Sequence, residues 1–374
     1  MDKTYYVYTD RMTVGYDGVP LLEDIRIGVR RGEILTMIGP NGAGKSTILK
    51  SIIRQLKLLA GTVVLDGRAL EELRQRELAQ KMSILMTDRL KTEYMTCWDV
   101  VATGRYPYTG RLGLLSRQDR EKVDEAVELV HAGDLAQSDF SRISDGQRQR
   151  LLLARAICQE PEAVVLDEPT SFLDVKHKLE LLDVLKTMVR EKNVAVVMSL
   201  HELDLAQKIS DRVVCVSRDG VDRCDTPERI FRDGYIRSLY GMEKGSYNAL
   251  FGCVELEKVP GPPEVFVIGG GGSGIPVYRR LQRGHIPFAA GVLSESDLDW
   301  PVAKALAAEV ISEPPFTPVG EAAAARALAR MRTCRRVICA VRDFGETNRR
   351  NRELRDWAEA AGLLADPAEE GAPV

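Results

Sequence analysis

The sequence predicts two α/β domains in series, the first a P-loop type and the larger, the second Rossmann-like. Three observations carry this. An apolar strand pattern over 33–38 runs into a glycine-rich turn and then a helical pattern; the same succession recurs over 265–281; and Val259-Pro260-Gly261-Pro262-Pro263 stands between them. Strand, turn and helix in this order build parallel sheets with helices on their faces. Prolines and a glycine at such density continue neither a ladder nor a helix. The boundary is therefore placed there, with 1–258 as the first domain, 259–263 as a linker and 264–364 as the second domain. Residues 365–374 are small, acidic and proline-containing, and read as a flexible tail.

A length of 374 residues fits that division, at about 150 residues per domain. With 44% hydrophobic, 29% charged and 6% aromatic residues, the composition is globular and excludes disordered, collagen-like and coiled-coil classes. A net charge of −3 gives no overall positive field, so no nucleic-acid partner is expected. The apolar run Val194 to Leu200 is far shorter than the roughly 18 residues of a membrane span. Met1-Asp2-Lys3-Thr4-Tyr5 does not begin a secretory leader, and a cytoplasmic location is expected. Seven scattered cysteines without a Cys-x-x-Cys pair favour neither a disulfide framework nor a zinc site.

In the first domain, Glu33 to Ile38 reads as a strand leading into Gly39-Pro40-Asn41-Gly42-Ala43-Gly44-Lys45-Ser46-Thr47 and a helix. Glycines let successive N–H groups turn towards phosphate oxygens, and the helix adds the positive end of its dipole. Lys45 supplies a point charge, and the Ser46 hydroxyl is a Mg²⁺ ligand. A magnesium-bound nucleotide needs a further carboxylate, and Ala163-Val164-Val165-Leu166-Asp167-Glu168 is an apolar strand ending in two. Asp167 is assigned to Mg²⁺. Glu168, one residue on, is placed to polarise a water attacking the γ-phosphate. Between these motifs, Ser144 and Gln147 have the spacing of a capping box, so a helix begins there with N–H groups facing outward. Alone, that spacing marks only a helix start.

The order and content of these motifs resemble the ATP-binding subunits of ABC transporters. The resemblance covers about residues 3–258: the P-loop at 39–47, the signature Ile143-Ser144-Asp145-Gly146-Gln147, the acidic strand 163–168, Ser171-Phe172-Leu173-Asp174 and Ser199-Leu200-His201-Glu202. It implies a homodimer in which each ATP lies between one subunit's P-loop and the other's signature. Ser144 and Gly146, with Gln147 beside them, would then meet the γ-phosphate in trans. Tyr16 would stack on adenine, Asp174 would couple the two sites, and His201 would contact the γ-phosphate or the attacking water. His131, His177 and His285 are expected to be surface or structural. Two positions depart from the family pattern. Thr87 stands where glutamine is usual, which puts the usual link between nucleotide and permease in doubt. Ile143 and Asp145 replace leucine and glycine in the signature; an acid there offsets part of the helix's positive end, so slower or more tightly regulated hydrolysis is expected.

The stretch Met95 to Gly110, with Thr103-Gly104-Arg105-Tyr106-Pro107-Tyr108, looks like the corresponding segment of importers for iron chelates, haem and cobalamin. That likeness implies transmembrane permease subunits, an external solute-binding protein, a peripheral position on the inner face of the membrane, and a docking surface including Arg105 and the tyrosines. A solvated helix and loop is the plain alternative for those residues. A soluble ABC-type regulatory ATPase without a permease is the alternative for the whole chain. Such proteins usually carry two cassettes, and this sequence has one P-loop.

In the second domain, Val265-Phe266-Val267-Ile268 leads into Gly269-Gly270-Gly271-Gly272-Ser273-Gly274 and a helical Val277 to Leu281. This matches a dinucleotide fingerprint, with a strand at Phe288 to Leu293 and Glu295 spaced for a ribose. Three readings stay open: nucleotide binding, another small ligand, or a structural turn. Arg335 to Val341 reads as a third strand. Asp343-Phe344-Gly345 is not a kinase element, since no other kinase motif accompanies it. Arginines between 326 and 355 outnumber acids; a solvated helix face, an anion site and contact with membrane headgroups are the readings. The appended domain is similar to those of some cobalamin-type importer ATPases, which tilts the expected cargo towards a corrinoid.

Overall fold

A computed structural model describes residues 4–86, 94–110, 112–232 and 234–366. Two compact units divide the chain, Met1–Tyr235 and Ile236–Val374. This division falls ahead of the 259–263 stretch. The intervening segment belongs to the second unit, where strands Ser246–Asn248 and Cys253–Glu255 pair antiparallel. Arg279 forms an ion pair with the buried Glu255 carboxylate. Residues 246–255 thus form a hairpin. Asn248 Oδ1 accepts the amides of Leu250 (3.1 Å) and Phe251 (3.3 Å) in its turn.

The first unit is built on a six-stranded sheet in the order Gly220–Asp225, Arg212–Ser217, Ile34–Ile38, Ala195–Ser199, Ala163–Asp167, Met82–Leu85. All neighbours pair parallel except the Gly220–Asp225 edge. The three central strands are buried along their whole length, as their predominantly apolar sequences require in a sheet covered on both faces. Register places Ser199 opposite both Met37 and Asp167, so the carboxyl ends of the strands carrying the P-loop, the acids and His201 meet side by side. A second, antiparallel sheet is formed by Val19–Ile25, Val7–Tyr16, Ala60–Leu65 and Arg68–Ala69, with Gly28–Val29 paired to Val7–Tyr16.

Helices Cys97–Ala102, Arg117–Leu129 and Asp145–Cys158 pack on one another. Each starts at a capping box: Thr96 with Asp99, Ser116 with Asp119, Ser144 with Gln147. The expected docking role of Arg105 is corrected here. Its side chain is buried, with Nε donating to Asp119 Oδ1 (2.9 Å) and Nη1 to Cys158 O (2.8 Å) and Glu160 Oε2 (2.9 Å). The guanidinium lies 4.1 Å from the Tyr108 ring centroid. A buried cation is tolerable only when paired and hydrogen-bonded, and Arg105 spends its donors inside the fold. Tyr106, by contrast, is exposed.

The second unit carries a wholly parallel five-stranded sheet in the order Glu309–Glu313, Phe288–Ser294, Val265–Ile268, Arg336–Cys339, Leu364–Ala365. Val265 and Val267 face a core shared with helices Ile275–Arg283 and Asp299–Leu306, while Phe266 and Ile268 face one shared with Glu321–Met331 and Arg349–Ala360. The strand read as third is therefore fourth. Glu309–Glu313 precedes it as an edge strand, whose mostly half-buried residues give no buried-strand pattern. Ala365, assigned to the tail, pairs with Ile338; residues 367–374 lie outside the described region. Among the described residues, no helix is long and apolar enough to cross a membrane, and no cluster of three or more His, Cys, Asp or Glu side chains forms a metal site.

Candidate functional site

Strand Ile34–Ile38 delivers the P-loop to the sheet's carboxyl edge, and helix Lys45–Ile52 leaves from it. Gly42 (φ +76°) and Gly44 (φ +99°) hold the left-handed conformations that turn the loop, which a side chain would strain. Gly44 is the residue before the helix and makes no side-chain cap, so the helix opens with amides available to an anion. Lys45 Nζ folds back to donate to Gly39 O (2.6 Å) and Pro40 O (3.0 Å). Burial holds its pKa below the ordinary 10.5, partly offset by the carboxylates of Glu168 and Asp167.

Asp167 ends its strand almost fully buried. Its Oδ1 accepts from Ser199 Oγ (2.6 Å), and the same hydroxyl accepts the Glu168 amide (2.9 Å). One buried serine thus orients both acids. Glu168 follows in a left-handed turn, φ +49°, which swings its side chain off the strand line. Oε1 lies 2.5 Å from His201 Nε2, and Oε2 accepts from Ser171 Oγ (3.3 Å). Next to it, Glu202 accepts from Thr170 Oγ1 (2.8 Å) and Lys178 Nζ (2.7 Å); these pairings hold its carboxyl below the usual range against the opposing effect of burial. The structure thus brings Lys45, Asp167, Glu168 and His201 together from three neighbouring strands. The donor set fits Mg²⁺ with a nucleotide: a buried carboxylate, a P-loop hydroxyl at Ser46, and an ammonium beside free helix amides.

Tyr16, half exposed at the end of Val7–Tyr16, reaches the P-loop, its hydroxyl 3.2 Å from Thr47 Oγ1. The signature lies at the start of helix Asp145–Cys158. Ser144 Oγ accepts the Gln147 amide (3.3 Å), and Gln147 Oε1 accepts the Ser144 amide (3.0 Å). Asp145 pairs with Arg148 at 2.8 Å. Asp174 caps the helix Val175–Lys192, its Oδ1 accepting the His177 amide at 2.9 Å. No side-chain contact joins the signature residues to the P-loop among the described residues. Thr87 lies outside the described region. Sequence reasoning left Ser199 as a flanking residue. Its signal lay in register, since Asp167 and Ser199 end adjacent parallel strands, and no motif spacing reports that.

The glycine turn of the second unit holds its amides on the protein's own carboxylates. Asp299, fully buried, accepts the amides of Gly270 (2.5 Å), Gly274 (2.9 Å) and Ile275 (3.2 Å), while both oxygens of Asp297 accept from Gly271 (3.0 and 2.9 Å). Burial raises the Asp299 pKa in spite of those amides. Glycine is needed at 269 and 274 because a Cβ there would come within 2.2 and 2.4 Å of the Tyr278 hydroxyl. Glu295, proposed for a ribose, is instead exposed and accepts from Ser312 Oγ (3.2 Å).

Comparison with known proteins agrees with this geometry. A family model described as ABC transporter matches residues 22–171, and another, the MJ0874 family, matches 288–369. An uncharacterised ABC transporter ATP-binding protein of Methanocaldococcus jannaschii is 40% identical over 76% of this chain and 99% of its own length. The petrobactin import ATP-binding protein of Bacillus anthracis is 34% identical over 65% of this chain and 90% of its own. The cobalamin import ATP-binding protein of Halobacterium salinarum is 32% identical over 83% and 79%. Among solved structures, a chain of an inward-facing putative metal-chelate type ABC transporter matches with a TM-score of 0.55 at 22% identity, over 63% of this chain and 88% of its own. An ATP-binding cassette dimer bound to ADP and phosphate gives 0.53 at 24% identity, over 59% and 98%. These structural likenesses show the fold. With the P-loop, the acidic strand and the histidine assembled at one sheet edge and relatives of this similarity over nearly their whole length, the chain belongs to the ATP-binding proteins of ABC transporters and is an ATPase.

Proposed function

We propose that this chain powers an importer for an iron chelate, haem or a corrinoid, with a corrinoid favoured. The observation that carries the motor reading is the Glu168 to His201 contact beside the P-loop, anchored through Ser199 to Asp167. In this reading the Gly42 and Gly44 turn and the amides opening helix Lys45–Ile52 hold the phosphates. Lys45 exchanges the carbonyls of Gly39 and Pro40 for phosphate oxygens, Tyr16 supports adenine, and Ser46 and Asp167 hold Mg²⁺. The ion, when bound, neutralises charge on the β- and γ-phosphates. Glu168 orients and deprotonates the attacking water, and His201 fixes the Glu168 carboxylate and faces the γ-phosphate. A second copy supplies Ser144, Gly146 and Gln147 in trans, with Asp174 coupling the two sites. Permease subunits hold the pair at the inner face of the membrane, where a solute-binding protein delivers cargo from outside.

Two observations support the cargo class. Relatives include proteins named for petrobactin and cobalamin import. The alignment to the cobalamin protein spans 317 residues, more than the 235 of the first unit, so it extends into the second. The test is uptake of radiolabelled cobalamin, haem and ferric siderophore by cells lacking this chain, complemented with wild type or Glu168→Gln. Cobalamin uptake restored only by wild type is the expected result. Restoration of the siderophore alone overturns the corrinoid preference, and restoration of none overturns import.

A further inference from the structure

We infer that the crevice at the carboxyl edge of the second unit's sheet is a binding site for a purine nucleoside without phosphates. The chain runs outward from Val265–Ile268 through Phe288–Ser294 to Glu309–Glu313, then crosses to Arg336–Cys339 and Leu364–Ala365 on the other side. The topological switch point therefore lies between Val265–Ile268 and Arg336–Cys339, where open α/β sheets take their ligands. A cavity of about 430 Å³ is found there, lined by Gly270, Val292, Asp297, Thr317, Val341 and Asp343. That volume is within the roughly 300–1,000 Å³ of small-molecule sites, and a bicyclic base with its sugar fills more of it than a single ring.

Two features set the class of ligand. First, the anion cradle is already occupied by the protein. In a dinucleotide site the turn amides and the opening of the next helix face a pyrophosphate. Here the amides of Gly270, Gly274 and Ile275 are held by Asp299, and that of Gly271 by Asp297. A phosphate arriving at this turn finds these amides already taken and meets the Asp297 carboxylate on the cavity wall, whose negative charge repels it, while Asp299 lies buried behind the turn. Second, the remaining walls suit a flat apolar face bearing hydroxyl donors. Val292, Val319, Ala340 and Val341 present aliphatic surface, while Asp297 and the exposed Asp343 present carboxylate acceptors. Arg342 is the single cation among the lining residues, set against those two carboxylates. Sugar hydroxyls donating to a carboxylate make charge-assisted bonds, which a phosphate cannot.

The experiment uses the full chain, photolabelled in parallel with 8-azidoadenosine and 8-azido-ATP, with labelled peptides located by mass spectrometry. The expected result is nucleoside label on peptides spanning 288–294, 317–319 and 340–343, at least about tenfold stronger than 8-azido-ATP gives at the same peptides. The nucleotide should label the first unit instead. Asp343→Ala should lower the crevice label about tenfold and leave ATP hydrolysis unchanged. Crevice peptides without nucleoside label, equal label from 8-azido-ATP, or an unaltered pattern in Asp343→Ala would each overturn the assignment.

Discussion

Ser199→Ala tests how the acids of the first site are held. The wild-type hydroxyl donates to Asp167 Oδ1 at 2.6 Å and accepts from the Glu168 amide at 2.9 Å, in a position with no solvent exposure. A hydrogen bond to a charged group contributes about 1.5–3 kcal/mol and a neutral one about 1 kcal/mol, and water cannot replace either without a path to the site. Removing both should cost about 2.5–4 kcal/mol in total. Some of this appears as lower stability, measured as a shift of the urea midpoint at constant slope. The rest appears as misplacement of Glu168, since its left-handed backbone loses the contact that fixes its amide. A loss of about 1.4 kcal/mol in the transition state is tenfold in rate, so steady-state ATPase activity at saturating Mg²⁺ and ATP should fall by about tenfold. A variant with an unchanged urea midpoint and a kcat within twofold of wild type would refute the claim that this hydroxyl organises the acids.

Glu168→Gln should bind ATP as wild type does and accumulate as an ATP-bound dimer, with turnover down by roughly 10²-fold or more; unchanged hydrolysis removes Glu168 from the chemistry. Asp145→Gly removes an acid from the first turn and frees Arg148 from its 2.8 Å pair, so ATP-driven dimerisation should tighten by under about 1 kcal/mol, as read by analytical ultracentrifugation. Lys45 is held below 10.5 by burial in the free protein, and ATP phosphates favour its charged form. Between that lowered value and the higher value in the complex, binding should therefore take up a proton and affinity should fall as pH rises; calorimetry in buffers of different ionisation enthalpy detects this, and no buffer dependence contradicts it. Arg105→Ala leaves Asp119 and the Cys158 carbonyl without their buried partner and should destabilise the first unit by about 3–5 kcal/mol, seen by thermal melting; a variant that melts with wild type would place Arg105 outside the core.

Local chemistry made the first site legible. Glycines, Lys45 and Ser46 stand in one short segment, Asp167 and Glu168 adjoin each other, and both groups end strands whose continuous apolar runs declare full burial. What the sequence hid is set by contacts distant along the chain. Arg105 looked like a surface cation because its partners lie 14 and 55 residues away. Ser199 owes its role to strand register 32 residues from Asp167. In the second unit, the glycine spacing predicted the strand, turn and helix correctly, but spacing cannot tell whether a turn's amides await a ligand or are held by an aspartate 25 to 29 residues on. Edge strand Glu309–Glu313 and the hairpin at 246–255 escaped because neither is fully buried and both are short.

The Arg105 contacts also have a mechanical consequence. They fasten the segment 97–105 to the carboxyl end of helix Asp145–Cys158, whose amino end bears the signature. At 14 residues and 1.5 Å per residue, that helix is a rod of about 21 Å. If a load on the exposed Tyr106 side tilts the clamped end by about 5°, the far tip travels about 2 Å by leverage alone. In the proposed ATP-bound pair, a displacement of that size would make or break a phosphate hydrogen bond at Ser144. On the proposed reading the guanidinium would act as a rivet: the stiffness of one joint would set how much of a push on the 95–110 segment arrives at the nucleotide as motion, and how much is lost to bending.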